Sequence, residues 1–298
     1  MMYNDVVVSI IIVNYNTCEL TYNCISSIYE YVRFCKIEII LVDNASTDNS
    51  LEYIKEKFPE VILIASKINL GFGRANNLGA KHAHGEYLFL LNSDTILKND
   101  PFPLFLDFLK NNNLLKIGIL GTFLIDGQGT YSKSGGKFYS MKKYLKLALL
   151  SYFPHKTINE IDIHKNVITT DYVIGADMFL RKDLFSDIGG FDEHIFMYFE
   201  DVELCKRLAK NGYVSFLIKG NNIIHYVNSS STSQFSRIYN TASLLYCIRK
   251  ESNSIIFFLF QLTYFILKFP ILFKRPRHFN DNWSYLKTIF CYKKYILY

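Results

Sequence analysis

Hydrophobic and polar positions alternate in blocks along the first 120 residues. VVVSIIIVN (Val6–Asn14) is a continuous apolar, β-branched run, the pattern of a strand buried on both faces. From Leu20 to Val32, residues Cys24, Ile25, Ile28 and Val32 recur at helical spacing. IEIILVDN (Ile37–Asn44) predicts a second buried strand. Ser46–Phe58 predicts a helix with an acidic first turn, closed by Pro59. VILIA (Val61–Ala65), EYLFLLN (Glu86–Asn92) and IGIL (Ile117–Leu120) predict three more strands, with helices over Phe72–Ala83 and Pro101–Asn111 between them. Strands separated by helices predict βαβ units, and so an α/β, Rossmann-like fold with a mostly parallel central sheet flanked by helices.

Three of these strands end in polar residues: Asn14-Tyr15-Asn16, Asp43-Asn44 and Asn92-Ser93-Asp94-Thr95. Such residues suit turns and helix caps. They also suit ligands, which bind parallel sheets beyond the carboxyl ends of the strands. Two ends that each offer a carboxylate favour a binding edge over three unrelated turns.

Beyond residue 125 the periodicity weakens. Gly127, Gly129, Gly135 and Gly136 mark loops, and KKYLKLALLSYF (Lys142–Phe153) is amphipathic and basic. Order returns at DYVIGADMFL and at FEDVELCKRLAKNG. The second is a helix with Asp201 and Glu203 in its first turn, basic residues further on and Gly212 past its end, the charge order its dipole favours.

Near the end, Ile255–Phe273 is apolar. As one helix it would be roughly 28 Å long, close to a bilayer core. Gln261 and Lys268 interrupt it and Pro270 strains it. Ser254, Gln261, Lys268 and Arg275 are seven apart and make one narrow polar stripe. This favours a helix lying in a membrane interface, with a true span and docking onto protein as the alternatives.

Charge sharpens the division. From Gln234 to Tyr298, ten Lys/Arg stand against Glu251 and Asp281, a net +8, which leaves −2 for the rest of a chain of net +6. The basic excess therefore concerns the tail alone and implies an anionic partner there, not a nucleic-acid-binding body. Six cysteines without a CxxC pair fit reduced thiols in a cytoplasm rather than a metal cluster or disulfide framework. The run Val6–Val13 is too short for a secretory leader and leads into NYN rather than a cleavage site.

SIIIVNYN, LVDNASTDNS, NLGFGRANNLGA, FLLNSD and GADMFLRKDLFSDIGGFDEHIFMYFEDVELCKRLAKNGY occur in order and at suitable spacing. Together they resemble the family 2 inverting glycosyltransferases of the GT-A fold, above all the rhamnosyltransferase-like branch of bacterial surface-polysaccharide synthesis. The resemblance covers about residues 7–250. It implies a GT-A domain over 1–233, with a nucleotide-binding half to about 124 and an acceptor half from about 125. A basic, aromatic-rich helical tail follows over 234–298.

For the site, the resemblance implies Tyr15 stacked on a pyrimidine and Asp43 accepting its imide N–H, with Asn14 and Asn44 beside them. A core-capping role for Tyr15 remains the alternative. Gly71 and Gly73 would let backbone approach the donor, and Asn77 would lie near the nucleotide. The GFG here lacks the GxGxxG spacing of dinucleotide oxidoreductases. Asn92-Ser93-Asp94 occupies the place of the family's DxD-like signature, with Asn92 in place of the first carboxylate. Asp94 is then the single acidic ligand of a divalent cation, Mg²⁺ or Mn²⁺, on the donor diphosphate, with Ser93 near the ribose.

Asp201 is the implied general base, or a helix cap, or both. Glu200 would orient it or the acceptor. Ala176 and Asp177 lie in a loop against the donor sugar, and Asp192 faces the acceptor. His225 either completes the metal site or is structural. The serine-rich NSSSTSQ after it reads as a loop that closes over donor phosphates.

The expected reaction moves a sugar from a nucleotide-diphosphate donor, with dTDP-rhamnose the first candidate, to a lipid-linked or oligosaccharide acceptor at the inner face of the cell membrane. A UDP-hexose donor, or a catalytically silent membrane-bound glycan-assembly subunit, are the alternatives.

Overall fold

The computed structural model describes residues 7–151, 162, 164–220, 222–226, 233–274 and 278–297. Strand β1 (Val7–Asn14) leads to α1 (Cys18–Tyr31), β2 (Lys36–Asp43), α2 (Ser50–Lys57), β3 (Ile62–Ala65) and α3 (Phe72–Lys81). Then come β4 (Tyr87–Asn92), β5 (Thr95–Leu97), α4 (Phe102–Asn111), β6 (Ile117–Thr122), β7 (Gly135–Gly136) and α5 (Met141–Leu150). They are followed by β8 (Val167–Thr170), β9 (Tyr172–Val173), β10 (Asp177–Arg181), α6 (Lys182–Asp187), α7 (Glu200–Lys210), β11 (Val214–Ile218) and β12 (Ile223–His225). Helices α8 (Ser233–Glu251), α9 (Ser254–Lys268), α10 (Ile271–Lys274) and α11 (Phe279–Cys291) complete the order.

The chain divides into two compact units. One holds residues up to Lys137, Glu160–Asp192 and Asp201–Ser230. The other holds Phe138–Asn159, Glu193–Glu200 and Ser231–Tyr298.

The first unit is built on an eight-stranded sheet of order β3-β2-β1-β4-β10-β6-β11-β8. β3, β2, β1 and β4 are mutually parallel, as the βαβ pattern predicts. β10 enters antiparallel between β4 and β6. Burial follows the sequence: Val8, Ile10, Ile11 and Ile12 are wholly buried, because helices cover both faces of β1. Gly79 makes one of these contacts possible, since a Cβ there would lie 2.6 Å from Ile11 Cγ2, so α3 could not seat against β1. Helix α2 starts at Ser50, not Ser46. Ala45 takes a left-handed φ of 66°, and Asp48 accepts from Ser50 N at 3.1 Å, local bonding that competes with a helical turn.

The second unit is helical. Ala148, Leu245, Phe257, Phe260, Leu286 and Ile289 form part of its core. Pro270 lies between α9 and α10, where the apolar run breaks. At Gln261 the polar stripe turns inward, away from water, whereas Ser254 is exposed and Lys268 half-buried. Gln261 donates to Ile289 O at 2.6 Å, and Lys268 Nζ donates to Ser151 Oγ at 3.1 Å. A buried polar group needs a partner, and Gln261 finds one inside the unit. The outward face is apolar: Ile255, Phe258, Leu259, Ile266 and Phe273 are all exposed. Ser254–Phe273 is long and apolar enough to cross a membrane by length and composition, and only 28% of it is buried.

Candidate active site

Parallel pairing places the polar strand ends side by side. Asn14 is in register with Asp43, Val13 with Asn92, and Asp43 with Ala65. Asn14 is wholly buried and ties the edge together. Its Nδ2 donates to Asp43 Oδ1 at 2.8 Å and to Ser46 Oγ at 3.0 Å, while its Oδ1 accepts from the hydroxyls of Thr17 and Thr21, each at 2.8 Å. Thr17 Oγ1 also lies 3.2 Å from Ser93 Oγ, so one network reaches from β2 to the turn after β4.

Asn44 donates to Asn69 Oδ1 at 3.0 Å and accepts from Leu70 N at 2.7 Å, fixing the loop that leads to Gly71. Gly71 has φ of 80° and ψ of 179°, a backbone conformation essentially restricted to glycine. Gly73 is buried in the first turn of α3. Tyr15 stands 45% exposed beside this buried network, which is the exposure a stacking platform needs and a core cap lacks.

The turn after β4 runs straight into β5, which pairs antiparallel with β12, Thr95 opposite His225. Tyr226 N also donates to Asp94 O at 2.9 Å. This small sheet carries His225, 131 residues further along the chain, to Asp94, with Nε2 3.4 Å from Asp94 Oδ1 and 3.4 Å from Asn92 Nδ2. Asn92 Oδ1 and His225 Nδ1 are buried without a hydrogen-bond partner. One carboxylate and one imidazole are hard and borderline donors that suit Mg²⁺ or Mn²⁺. Among the described residues no set of three or more His, Cys, Asp or Glu side chains gathers there. The pair therefore fits an ion whose remaining positions are filled by water and diphosphate oxygens, as such ions usually are.

Loop Gly175–Ala176 links this place to the ED helix. Asn92 N donates to Ala176 O at 3.0 Å, and Gly175 N donates to Asp201 Oδ2 at 3.1 Å. Asp201 Oδ1 accepts from Val202 N at 2.7 Å. Burial raises the Asp201 pKa above the usual carboxylate range, against the pull of these two N–H groups and of the Lys133 charge. Tyr198 and Phe199, just before the helix, both have φ of 67°. Left-handed backbone at two successive bulky residues is strained, and such strain gathers at functional sites. It is held by Ser243 Oγ donating to Met197 O at 2.9 Å and by a 2.8 Å contact between Tyr198 Oη and Ser236 Oγ. Glu200 is buried at the start of α7.

Two predicted residues stand elsewhere than expected. Asn77 Nδ2 donates to Phe191 O and its Oδ1 accepts from Phe191 N, both at 2.9 Å, so its amide clamps the Gly189-Gly190-Phe191 turn. Gly190, with φ of 65°, is obligatory in that clamp, because a Cβ would lie 2.6 Å from Asn77 Oδ1. Asp177 is wholly buried, since it sits within β10 opposite Leu91 rather than in the loop. Its Oδ2 accepts from Thr122 N at 2.7 Å and Thr122 Oγ1 at 2.5 Å. Its Oδ1 has no partner, and burial pushes its pKa up to about 7. Asp192, which ends the turn, is partly exposed. Residues 228–232 of the serine-rich stretch lie outside the described residues, as do Arg275 and Arg277.

Sequence reasoning missed Thr17, Thr21, Ser46, Thr122 and Lys133. Thr17 and Thr21 carry a legible signal: two hydroxyls four apart, at the start of a helix and toward its buried side.

The family model for glycosyl transferase family 2 matches residues 9–189, and the chain belongs to that family. Over 206 residues it is 26% identical to an N-acetylglucosaminyl-diphospho-decaprenol L-rhamnosyltransferase of Mycobacterium tuberculosis, covering 64% of this chain and 66% of that protein. Over 180 residues it is 27% identical to rhamnosyltransferase WbbL of Escherichia coli, covering 57% and 66%. The chain thus spans just under two thirds of the length of these relatives. Among solved structures, GalNAc-T7 with UDP, GalNAc and Mn²⁺ superposes with a TM-score of 0.58 at 16% identity, over 80% of this chain and 47% of that one. The likeness is one of fold, and the fold is GT-A.

Proposed function

We propose that the chain is a metal-dependent, inverting glycosyltransferase. It moves a sugar, dTDP-rhamnose being the first donor to try, onto a lipid-linked surface glycan. The observation that carries this reading is that Asp201, at the start of α7 and with its raised pKa, accepts from the loop that also bonds the Asn92 end of the sheet edge. Both relatives are named as rhamnosyltransferases, which supports a rhamnosyl donor, and the name of the first, with its diphospho-decaprenol acceptor, supports a lipid-linked one.

Tyr15 stacks on the base, and Asp43, held by Asn14 and Ser46, accepts its imide N–H. Ser93 meets the ribose. Asp94 and His225 would hold a divalent cation, which would supply neutralisation of the charge on the diphosphate. Asp201 takes the proton of the acceptor hydroxyl as its oxygen bonds to the anomeric carbon. The bond from that carbon to the diphosphate breaks in the same step, so the configuration inverts. A raised pKa suits the base, because proton transfer is favoured when its pKa approaches the working pH. Glu200 and Asp192 orient the acceptor. The exposed apolar face of α9 supports contact of the second unit with a membrane, and the inner face of the cell membrane is where a lipid carrier would be met.

The test is transfer by the full chain from dTDP-rhamnose and from UDP-hexoses to a polyprenyl-diphosphate-linked sugar. Transfer by the wild type, lost in Asp201→Asn with donor binding kept, is expected. An Asp201→Asn variant as active as the wild type would contradict the assignment.

A further inference from the structure

The second unit presents an apolar face that its own fold leaves in solvent. On α9, Ile255, Leu259, Leu262 and Ile266 are exposed and spaced four, three and four apart, so they share one side of the helix. Exposed Phe269 and Phe273 follow. The other side of α9 faces the core, where Phe257, Phe260, Gln261 and Tyr264 are buried. Helix α11 adds a second exposed stripe, Phe279, Trp283 and Phe290, spaced four and seven apart. A row of rings joins the two stripes. Phe290 lies 5.2 Å from Phe265 between ring centres, Phe265 5.7 Å from Phe269, and Phe269 5.9 Å from Phe273. The exposed apolar surface is therefore continuous across two helices, and a surface of that kind marks a docking site.

Charge selects the occupant. α9 holds no Asp or Glu, and the Asp281 carboxylate on α11 lies 3.5 Å from His278. Lys287 is exposed on α11 with its Nζ 5.5 Å from the centre of the Trp283 ring, and Lys293 and Lys294, just past that helix, are exposed as well. Trp and Lys beside an apolar face suit the headgroup level of a bilayer, where the ring and the lysine stem stay in an apolar medium and the charge stays in water. The net +8 from Gln234 to Tyr298 is complementary to an anionic bilayer surface, whereas a second copy of the chain would bring the same charge against it.

Length and packing set the orientation. The 15 residues of α9 make a helix about 22 Å long, short of a hydrocarbon core of roughly 30 Å, and Pro270 ends it. A crossing would also take Gln261 from Ile289 O and leave its amide in hydrocarbon. We propose that α9 and α11 form one two-helix platform that beds into the interfacial layer of an anionic membrane and lies in its plane, with Trp283 and Lys287 at headgroup level. This rests on the membrane contact in the reading above and names its mode, and it does not depend on the transfer chemistry.

Trp283 is the one tryptophan of the chain, so its emission reports this face directly. The full chain is mixed with phosphatidylcholine vesicles, with and without phosphatidylglycerol, whose acyl chains carry bromine either near the headgroup or near the tip. The expected result is a blue shift that requires the anionic lipid, with stronger quenching by the shallow bromine. Leu262→Trp in a Trp283→Phe background should show the same shallow preference from the middle of α9. In flotation, Ile266→Asp should bind about tenfold more weakly and Lys287→Gln about fivefold, while Leu114→Asp, at a leucine of the first unit that is 96% exposed, should lose less than about twofold. Unfolding midpoints of these variants, all at exposed positions, should match the wild type. Stronger quenching of the residue 262 probe by the deep bromine means a span and overturns the proposal. So does emission that neither vesicle changes, equal binding to neutral vesicles, an equal loss in Leu114→Asp, or a dimer, dissolved by Ile266→Asp, in place of vesicle binding. Nucleotide binding on the same preparations separates the two readings, since a chain that docks as expected but binds no nucleotide counts against the transferase and leaves the platform standing.

Discussion

At the β1–β2 end of the sheet edge, Asn14 donates to Asp43 and Ser46 and accepts from Thr17 and Thr21, so its amide is fully engaged. At the end of the neighbouring strand β4, Asn92 Oδ1 is buried without a partner, as is Nδ1 of His225, which β12 brings beside it, and Asp177 Oδ1 is a third such atom in the same unit. Buried polar atoms are nearly always bonded, and each orphan costs about 1–3 kcal/mol. The first end is therefore a scaffold whose bonds stabilise the chain by itself. The second end is kept at some expense of stability, the usual mark of a place completed by a ligand. Alteration of the first should change stability, and alteration of the second should change binding.

The largest expected effect separates chemistry from both ends. Asp201→Asn should slow transfer by about 10²–10⁴-fold, the usual worth of a general base, and leave nucleotide affinity as it was. In the active enzyme, the acid limb of kcat/KM should lie above the ordinary Asp range, because the raised pKa keeps Asp201 protonated to higher pH. Next, Asp94→Ala should weaken metal-dependent nucleotide binding by at least about a hundredfold, since even outer partners of metal ligands reach that size. Its unfolding midpoint in urea should move little, which would sharpen the contrast.

Asn14→Ala should do the reverse and lower stability by about 1–3 kcal/mol for the groups it strands. A variant as stable as the wild type would break the comparison. A further prediction concerns pH dependence at Asp177. Its carboxyl holds a proton to about pH 7 in the native chain but only to about 3.8 when unfolded, so its stabilising contribution is complete at low pH and is lost as pH rises through that window. Asp177→Asn should flatten the melting temperature across the same window in differential scanning calorimetry.

These contrasts also show what the amino-acid sequence makes legible. Parallel βαβ pairing is a local rule, so Asn14, Asp43 and Asn92 could be placed on one edge from strand ends alone. The antiparallel entry of β10 is not local. It turns Asp177 into the interior, where a loop assignment had set it against the donor. Only the family resemblance, and no local pattern, joins His225 to Asp94, since β5 and β12 are three-residue strands that find each other only in the fold. The resemblance sets Asn77 near the nucleotide, yet the turn at Gly189-Gly190-Phe191 engages its amide. The α9 stripe is visible as a period of seven, but which side faces outward is decided by Ile289 O and Ser151, which lie on other helices.

The central claim is that the second end of the edge is completed by a cation and a nucleotide diphosphate. Calorimetric titration of the full chain with UDP and with dTDP, each with and without Mn²⁺, tests it most directly, with Asp94→Ala as the control. The account predicts binding that needs Mn²⁺ and vanishes in the variant, with the preferred base naming the donor class. Folded protein that binds neither nucleotide, or binds them equally without the metal and without Asp94, would contradict it.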